Sequence, residues 1–167
     1  KNIADVLEMT VDEAMDFFAD AKTLQNKLRP LQDVGLGYVA LGQSSSTLSG
    51  GEAQRIKLAS FLGKASKDQH ILFIFDEPTT GLHFHDINKL MGSFNALVEQ
   101  GHTIVIIEHN MDVIKCADWI IDMGPEGGDA GGYLVFEGLP EDLVKVEESY
   151  TGRYLGGKLN IKSVNSK

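Results

Sequence analysis

The chain is short of cysteine, of positive charge and of long apolar runs, and each shortage closes off a class of function. Cys116 is the single cysteine, so neither an internal disulfide nor a multi-cysteine zinc site can form within these residues, and a reducing cytoplasm is the expected setting. No apolar stretch approaches the roughly 20 residues that a membrane span needs, and Lys1-Asn2-Ile3 lacks the apolar core of a signal peptide, so no membrane partner is expected. Lys and Arg number 15 against 24 Asp and Glu, a formal net charge of −9. The excess is uneven: residues 1 to 75 carry −1 and residues 76 to 167 carry −8. DNA affinity comes largely from Lys and Arg displacing condensed counterions, so any nucleic acid is expected to be held mainly elsewhere. A complete phosphate-cradling loop is also missing. Gly152-x-x-x-x-Gly157-Lys158 matches its first part, but Leu159 stands where the Ser/Thr magnesium ligand belongs and no strand pattern precedes it. Finally, a chain that starts at Lys1 and not at Met is expected to be an excised or trimmed piece.

What is present suffices for one globular core: 167 residues, 43% of them hydrophobic. Thr10-Val11-Asp12-Glu13 has the form of a capping box and predicts a short helix through Phe17 and Phe18; a second helix is expected from Ala21 to about Val34. Ser49-Gly50-Gly51-Glu52 repeats the capping-box pattern and opens a helix expected to stop at Gly63. Ile71 to Phe75 is an unbroken apolar run, the pattern of a parallel strand buried on both faces. Ile87, Leu90, Met91, Phe94, Leu97 and Val98 then recur at three and four, an amphipathic helix ending at Gly101, and Thr103 to Ile107 is a second buried strand. Asn110 can cap a short helix through Ala117, and strands are expected at Trp119 to Met123 and Tyr133 to Glu137, joined by the turn Gly124 to Gly132. The fold class is therefore α/β, with helices flanking a mostly parallel sheet and an antiparallel hairpin toward the C-terminus. Residues 148 to 167 read as a weakly ordered tail.

Three strings carry chemistry. Asp76-Glu77 lies at the C-terminal end of a buried strand, where α/β sheets place their ligands. Asp76 would hold Mg²⁺ through its water and Glu77 would polarise the attacking water as general base. Ser49-Gly50-Gly51 at a helix start offers backbone N–H groups and a positive dipole end to a phosphate, and the glycines permit close approach. His109, one residue past Glu108 at the tip of the second strand, is placed to contact a γ-phosphate. The plain structural alternatives are a strand end, an ordinary capped helix and a satisfied histidine. The three strings together weigh against them. His83-x-His85 with Asp86 reads as a solvated helix start and not as a metal site, and Gly127 to Gly132 reads as a hairpin connection.

These strings resemble those of the ABC-type ATPases: Leu48-Ser49-Gly50-Gly51-Glu52 is similar to the signature motif, Ile71 to Glu77 to Walker B, Thr80 to His83 to the D-loop, and His109 to the switch histidine. Leu41-Gly42-Gln43, Thr47 to Arg55, Asp76 to His83, Ile106 to Asn110, Ala117 to Asp122 and Gly124 to Gly128 narrow the resemblance to the C-terminal ATPase half of the UvrA family, the damage-sensing subunits of bacterial excinucleases. The resemblance covers nearly the whole chain and weakens after about Gly156. It implies one incomplete P-loop NTPase domain of the ABC type over residues 1–167, comprising a helical segment with the signature (1–70), a segment with Walker B, D-loop, switch histidine and hairpin (71–147) and the tail (148–167).

It further implies ATP and Mg²⁺ as cofactors, with Leu48, Ser49, Gly50, Gly51, Glu52, Gln54, Asp76 and His83 binding nucleotide and Glu77 and His109 acting in hydrolysis. Zinc is implied only for an upstream module outside this sequence. The implied partners are a UvrA dimer partner, UvrB and damaged double-stranded DNA. In ABC proteins the signature of one module closes over ATP held by the Walker A of another, so the chain would serve two different sites and would be inactive alone. The strand feeding Walker A is implied between the strand ending at Ile107 and that at Trp119 to Met123. Without it, those edges must pair directly, borrow a strand from another copy, or pair with a separate segment. Two other classes stay open on the residues: a transporter nucleotide-binding domain, and an interaction module that kept the signature and lost ATP binding.

Overall fold

A computed structural model describes residues 1–62, 70–128 and 131–159, and shows two compact units, Lys1–Glu108 and His109–Lys167. The expected helix stop at Gly63, part of the Gly124 to Gly132 turn and the last eight residues lie outside the described residues.

The first unit begins with α1 (Ile3–Glu8) and α2 (Val11–Phe17), each opened by a reciprocal capping box, Asn2 with Asp5 and Thr10 with Glu13. Helix α3 (Lys22–Asp33) follows, then a 3₁₀ turn at Ser45–Thr47 and α4 (Gly50–Leu62). Strand β1 (Leu72–Asp76), α5 (Phe84–Glu99) and β2 (Thr103–Ile107) form a strand–helix–strand unit. The strands run parallel, with Leu72 opposite Thr103 and Asp76 opposite Ile107, so both end at the same level. This register sets the residues after β1 beside those after β2.

The core of this unit gathers Val34, Leu36 and Val39 from the chain that leaves α3, Leu58 and Ala59 from α4, Phe73 and Phe75 from β1, and Leu90, Phe94 and Leu97 from α5. Side chains alternate along a strand, so Phe73 and Phe75 point the same way, their rings stacked at 6.2 Å, with Phe94 4.9 Å from Phe75. The alternation corrects one expectation. β1 is buried on one face only, because Leu72 (55% exposed) and Ile74 (65%) on β1 and Val105 (44%) and Ile107 (55%) on β2 remain open to solvent. An apolar run marks a strand meant for cover on both faces, and nothing among the described residues of this unit supplies the second cover.

The second unit holds α6 (Met111–Ile114), capped by the Asn110 side chain, the antiparallel pair β3 (Ile120–Gly124) and β4 (Tyr133–Gly138), α7 (Pro140–Leu143) and α8 (Tyr150–Leu155). Its core is Ile120, Leu143 and Leu155. Helix α8 falls inside the stretch expected to be a tail. Ser149 caps it by accepting the Gly152 N–H at 2.8 Å, and the Asp122 carboxylate of β3 accepts hydrogen bonds from Ser149 Oγ and Thr151 Oγ1 at 2.6 and 2.9 Å. A Cβ on Gly152 would stand 2.4 Å from the Leu143 carbonyl oxygen. The first glycine of the P-loop-like string is thus a packing glycine, and Lys158 of the same string pairs with Asp112 at 3.4 Å. The described strands form two sheets of two, β1 with β2 and β3 with β4, so direct pairing across the implied position of the Walker A strand is not among them.

Candidate functional site

The site is built where α4 meets the turn after β1. Ser49 and Glu52 close the expected box: the Ser49 N–H donates to the Glu52 carboxylate at 2.7 Å and the Glu52 N–H to Ser49 Oγ at 3.3 Å. Tyr38 donates a further hydrogen bond to Glu52 Oε1 at 2.6 Å. These donors, Tyr38 first and the Ser49 backbone next, hold the Glu52 carboxyl below the usual glutamate range, while burial and then the bond to Glu52 push the Tyr38 hydroxyl up. Because the folded-state value of Glu52 is depressed, its contribution is present at neutral pH and is lost only as pH falls below the ordinary glutamate range.

Gly50 is exposed, and a Cβ there would meet nothing within 4 Å, so the first turn of α4 opens outward at Ser49 and Gly50. Gly51 is buried in the other direction, where a Cβ would lie 3.6 Å from the carbonyl oxygens of Glu77 and Thr80. The helix start therefore rests directly on the acidic turn. Leu48, half-buried, packs against the core of the unit.

Asp76 ends β1 with an exposed side chain, and Glu77 follows with its own side chain exposed. The Glu77 N–H donates to the Ile107 carbonyl at 2.9 Å, continuing the ladder by one residue, and the chain then turns through Pro78 and Thr79 with the Thr80 N–H donating back to the Glu77 carbonyl at 3.1 Å. Glu77 sits at φ +46°, the one described non-glycine residue in the left-handed region. Glu108, just past β2, accepts from the Thr79 N–H at 3.0 Å and from its hydroxyl. Gln54 and Arg55 of α4 hold the backbone on either side of Glu77, Gln54 at Asp76 and Arg55 at the Pro78 and Thr80 carbonyls.

Of the residues expected to bind nucleotide, Leu48, Ser49, Gly50, Gly51, Glu52, Gln54 and Asp76 thus come together within the first unit, with Glu77, expected to act in hydrolysis, beside them. Glu52 and Gln54 are engaged with protein groups there. His83 is exposed at the N-cap of α5 and makes no side-chain capping bond, and no group of three metal-ligating side chains occurs among the described residues. His109 follows Glu108 in the chain and opens the second unit. Sequence reasoning assigned no role to Tyr38, Arg55 or Glu108. Arg55 and Glu108 stood inside strings already singled out, but their partners include backbone groups of the turn, which no spacing rule reveals.

The fold is α/β with a parallel pair and an antiparallel hairpin, with two exposed carboxylates at a strand tip and a helix start laid against the same turn. Its match to the solved structure named below makes it a partial P-loop NTPase fold of the ABC type. No family model matches the sequence. Over 155 residues, 93% of this chain, it is 62% identical to UvrABC system protein A of Agrobacterium fabrum (strain C58 / ATCC 33970) and 61% identical to the protein of that name in Staphylococcus aureus (strain COL). The solved structure of UvrA2 from Deinococcus radiodurans superposes with a TM-score of 0.80 at 47% identity, covering 94% of this chain. The chain is thus similar to a segment of UvrABC system protein A, and it spans 16% of the length of those two relatives and 19% of the solved chain.

Proposed function

We propose that this chain supplies part of the ATPase machinery of a UvrABC-type DNA-repair protein, contributing the signature, Walker B and switch-histidine elements to ATP binding and hydrolysis. The observation that carries the reading is the placement of Asp76 and Glu77 at the tip of β1, level with the end of β2 and under the first turn of α4. The donor set fits a magnesium nucleotide: two exposed carboxylates for the cation and the water, and an outward-opening helix start for a phosphate. Asp76 would hold Mg²⁺ through a water. Glu77 takes a proton from the water whose oxygen attacks the γ-phosphorus, as the bond from that phosphorus to the β–γ bridging oxygen breaks and ADP leaves. Ser49, Gly50 and Gly51, with Leu48 and Glu52 shaping the turn, close over the γ-phosphate of ATP cradled by another module. His83 belongs to the D-loop facing that module, and His109 contacts the γ-phosphate. In the whole protein this cycle would drive recognition of damaged double-stranded DNA and loading of UvrB by a dimer in the cytoplasm.

The test is Glu77→Gln in a full-length UvrABC system protein A carrying this segment. The amide keeps the shape and is a poor base, so single-turnover hydrolysis should fall by about 10²- to 10⁴-fold while magnesium-dependent nucleotide binding persists. Hydrolysis unchanged from wild type would remove Glu77 from the role.

A further inference from the structure

Glu77 holds a backbone conformation that glycine adopts freely and glutamate does not. Such conformations are strained for a residue with a side chain and persist only where the surroundings over-determine them. Beside the ladder bond from β2 and the Glu108 contact to Thr79, the surroundings here include two consecutive residues of the signature helix. The Gln54 carboxamide accepts from the Asp76 N–H and donates to the Asp76 carbonyl, both at 3.1 Å, as a peptide unit of a neighbouring strand would. Asp76 is the last residue of β1, and the next N–H, that of Glu77, points to β2. Gln54 therefore stands in for a ladder partner on the side of β1 away from β2.

Arg55 acts on the far side of Glu77. Its side chain is 1% exposed, with Nη1 donating to the Pro78 carbonyl at 2.6 Å and to the Thr80 carbonyl at 3.4 Å, and Nη2 donating to the Tyr38 hydroxyl at 3.4 Å. Its Nε meets no acceptor among the described residues. Burying a guanidinium against carbonyls, with one N–H unanswered, is a poor way to gain stability, since an apolar side chain of like volume would avoid the desolvation cost. The planar guanidinium, however, holds two carbonyls of the turn through Nη1 while Nη2 is anchored on the Tyr38 hydroxyl, which no apolar residue can do.

We infer that Gln54 and Arg55 are positioning residues that clamp the backbone before and after Glu77, so that the signature helix of this chain sets the geometry of its own general base. The proposal rests on the reading of Glu77 as that base. It gives the signature helix two tasks: the open face at Ser49 and Gly50 meets a nucleotide, while Gln54 and Arg55, with buried Gly51 against the Glu77 and Thr80 carbonyls, carry the position of that helix to the acidic turn. A shift of α4 on nucleotide engagement would then be felt at Glu77 through four hydrogen bonds to Asp76, Pro78 and Thr80.

The experiment compares Arg55→Lys and Gln54→Leu with wild type in a full-length UvrABC system protein A carrying this segment, reading the magnesium-ATP dissociation constant, the single-turnover hydrolysis rate and amide exchange at Thr79, Thr80 and Leu82. Lysine keeps the charge but its single nitrogen cannot span the two carbonyls and the Tyr38 hydroxyl in a fixed plane, and leucine keeps the volume of Gln54 without its two bonds. Misplacing a catalytic group by about 1 Å can cost on the order of 100-fold, so each variant should hydrolyse at least about tenfold more slowly with binding within about twofold of wild type. Exchange at the three amides should quicken in both. Hydrolysis and exchange equal to wild type would overturn the clamp, as would a loss of binding that matches the loss of rate. Glu77→Gln run alongside separates the two claims. If that variant hydrolyses normally, the general-base reading fails, and the exchange rates alone then support or overturn the clamp.

Discussion

On the proposed function, Ser49 is the residue at which binding and folding demands on helix α4 coincide. Its hydroxyl accepts the Glu52 N–H, and its backbone N–H is held by the Glu52 carboxylate, so the side chain caps α4 while the neighbouring Gly50 leaves the outer face clear. Replacing Ser49 by Ala is expected to cost about 1 kcal/mol of stability by loss of the cap. Ser49→Arg adds bulk on the open face and, in the full-length protein, should impair closure over the opposing nucleotide while nucleotide binding to its own module survives. An ATP-dependent change in module closure or dimer affinity equal to wild type would refute the signature role of Ser49. The cap was readable from the sequence because Ser-x-x-Glu is a local pattern. The contacts of Arg55 were not, because they reach 23 and 25 residues along the chain to carbonyls whose direction is set by the turn itself.

Elements with a local signal were legible, and those shaped by a distant neighbour were not. Helices α2 and α4 and the two parallel strands announced themselves through capping boxes and apolar runs. Helix α1 uses the same box with Asn2 and Asp5 in place of Ser/Thr and Glu, and was passed over. Helix α8 was hidden because Gly152 lowers helix propensity, and the reason for that glycine lies on α7. Gly152→Ala tests this at the scale of the element. The new methyl group would collide with the Leu143 carbonyl, a backbone atom that cannot step aside, and overpacking of this kind costs about 1–3 kcal/mol. Thermal unfolding followed by circular dichroism should show the loss. A melting curve unchanged from wild type would mean that the packing of α7 on α8 is looser than described.

At the scale of the whole molecule, the chain offers much of a site and lacks what would finish it. The 167 residues contain no Gly-x-x-x-x-Gly-Lys-Ser/Thr string, the sheet of the first unit leaves Leu72, Ile74, Val105 and Ile107 exposed, and the net charge is −9, the sign that repels phosphate backbones. All three features accord with a segment that spans 16% of the length of its relatives. The proposed signature and Walker B elements cannot replace the backbone cradle and lysine that hold the β- and γ-phosphates. The most direct test of this account is therefore a steady-state ATPase and nucleotide-binding measurement on the purified 167-residue chain with Mg²⁺, in a sample whose circular dichroism and amide protection of β1, β2 and α4 show the fold intact. The expected result is no turnover above buffer and no tight binding of ATP. Turnover comparable to that of a full-length UvrABC system protein A would contradict it, and would require a phosphate cradle within these residues.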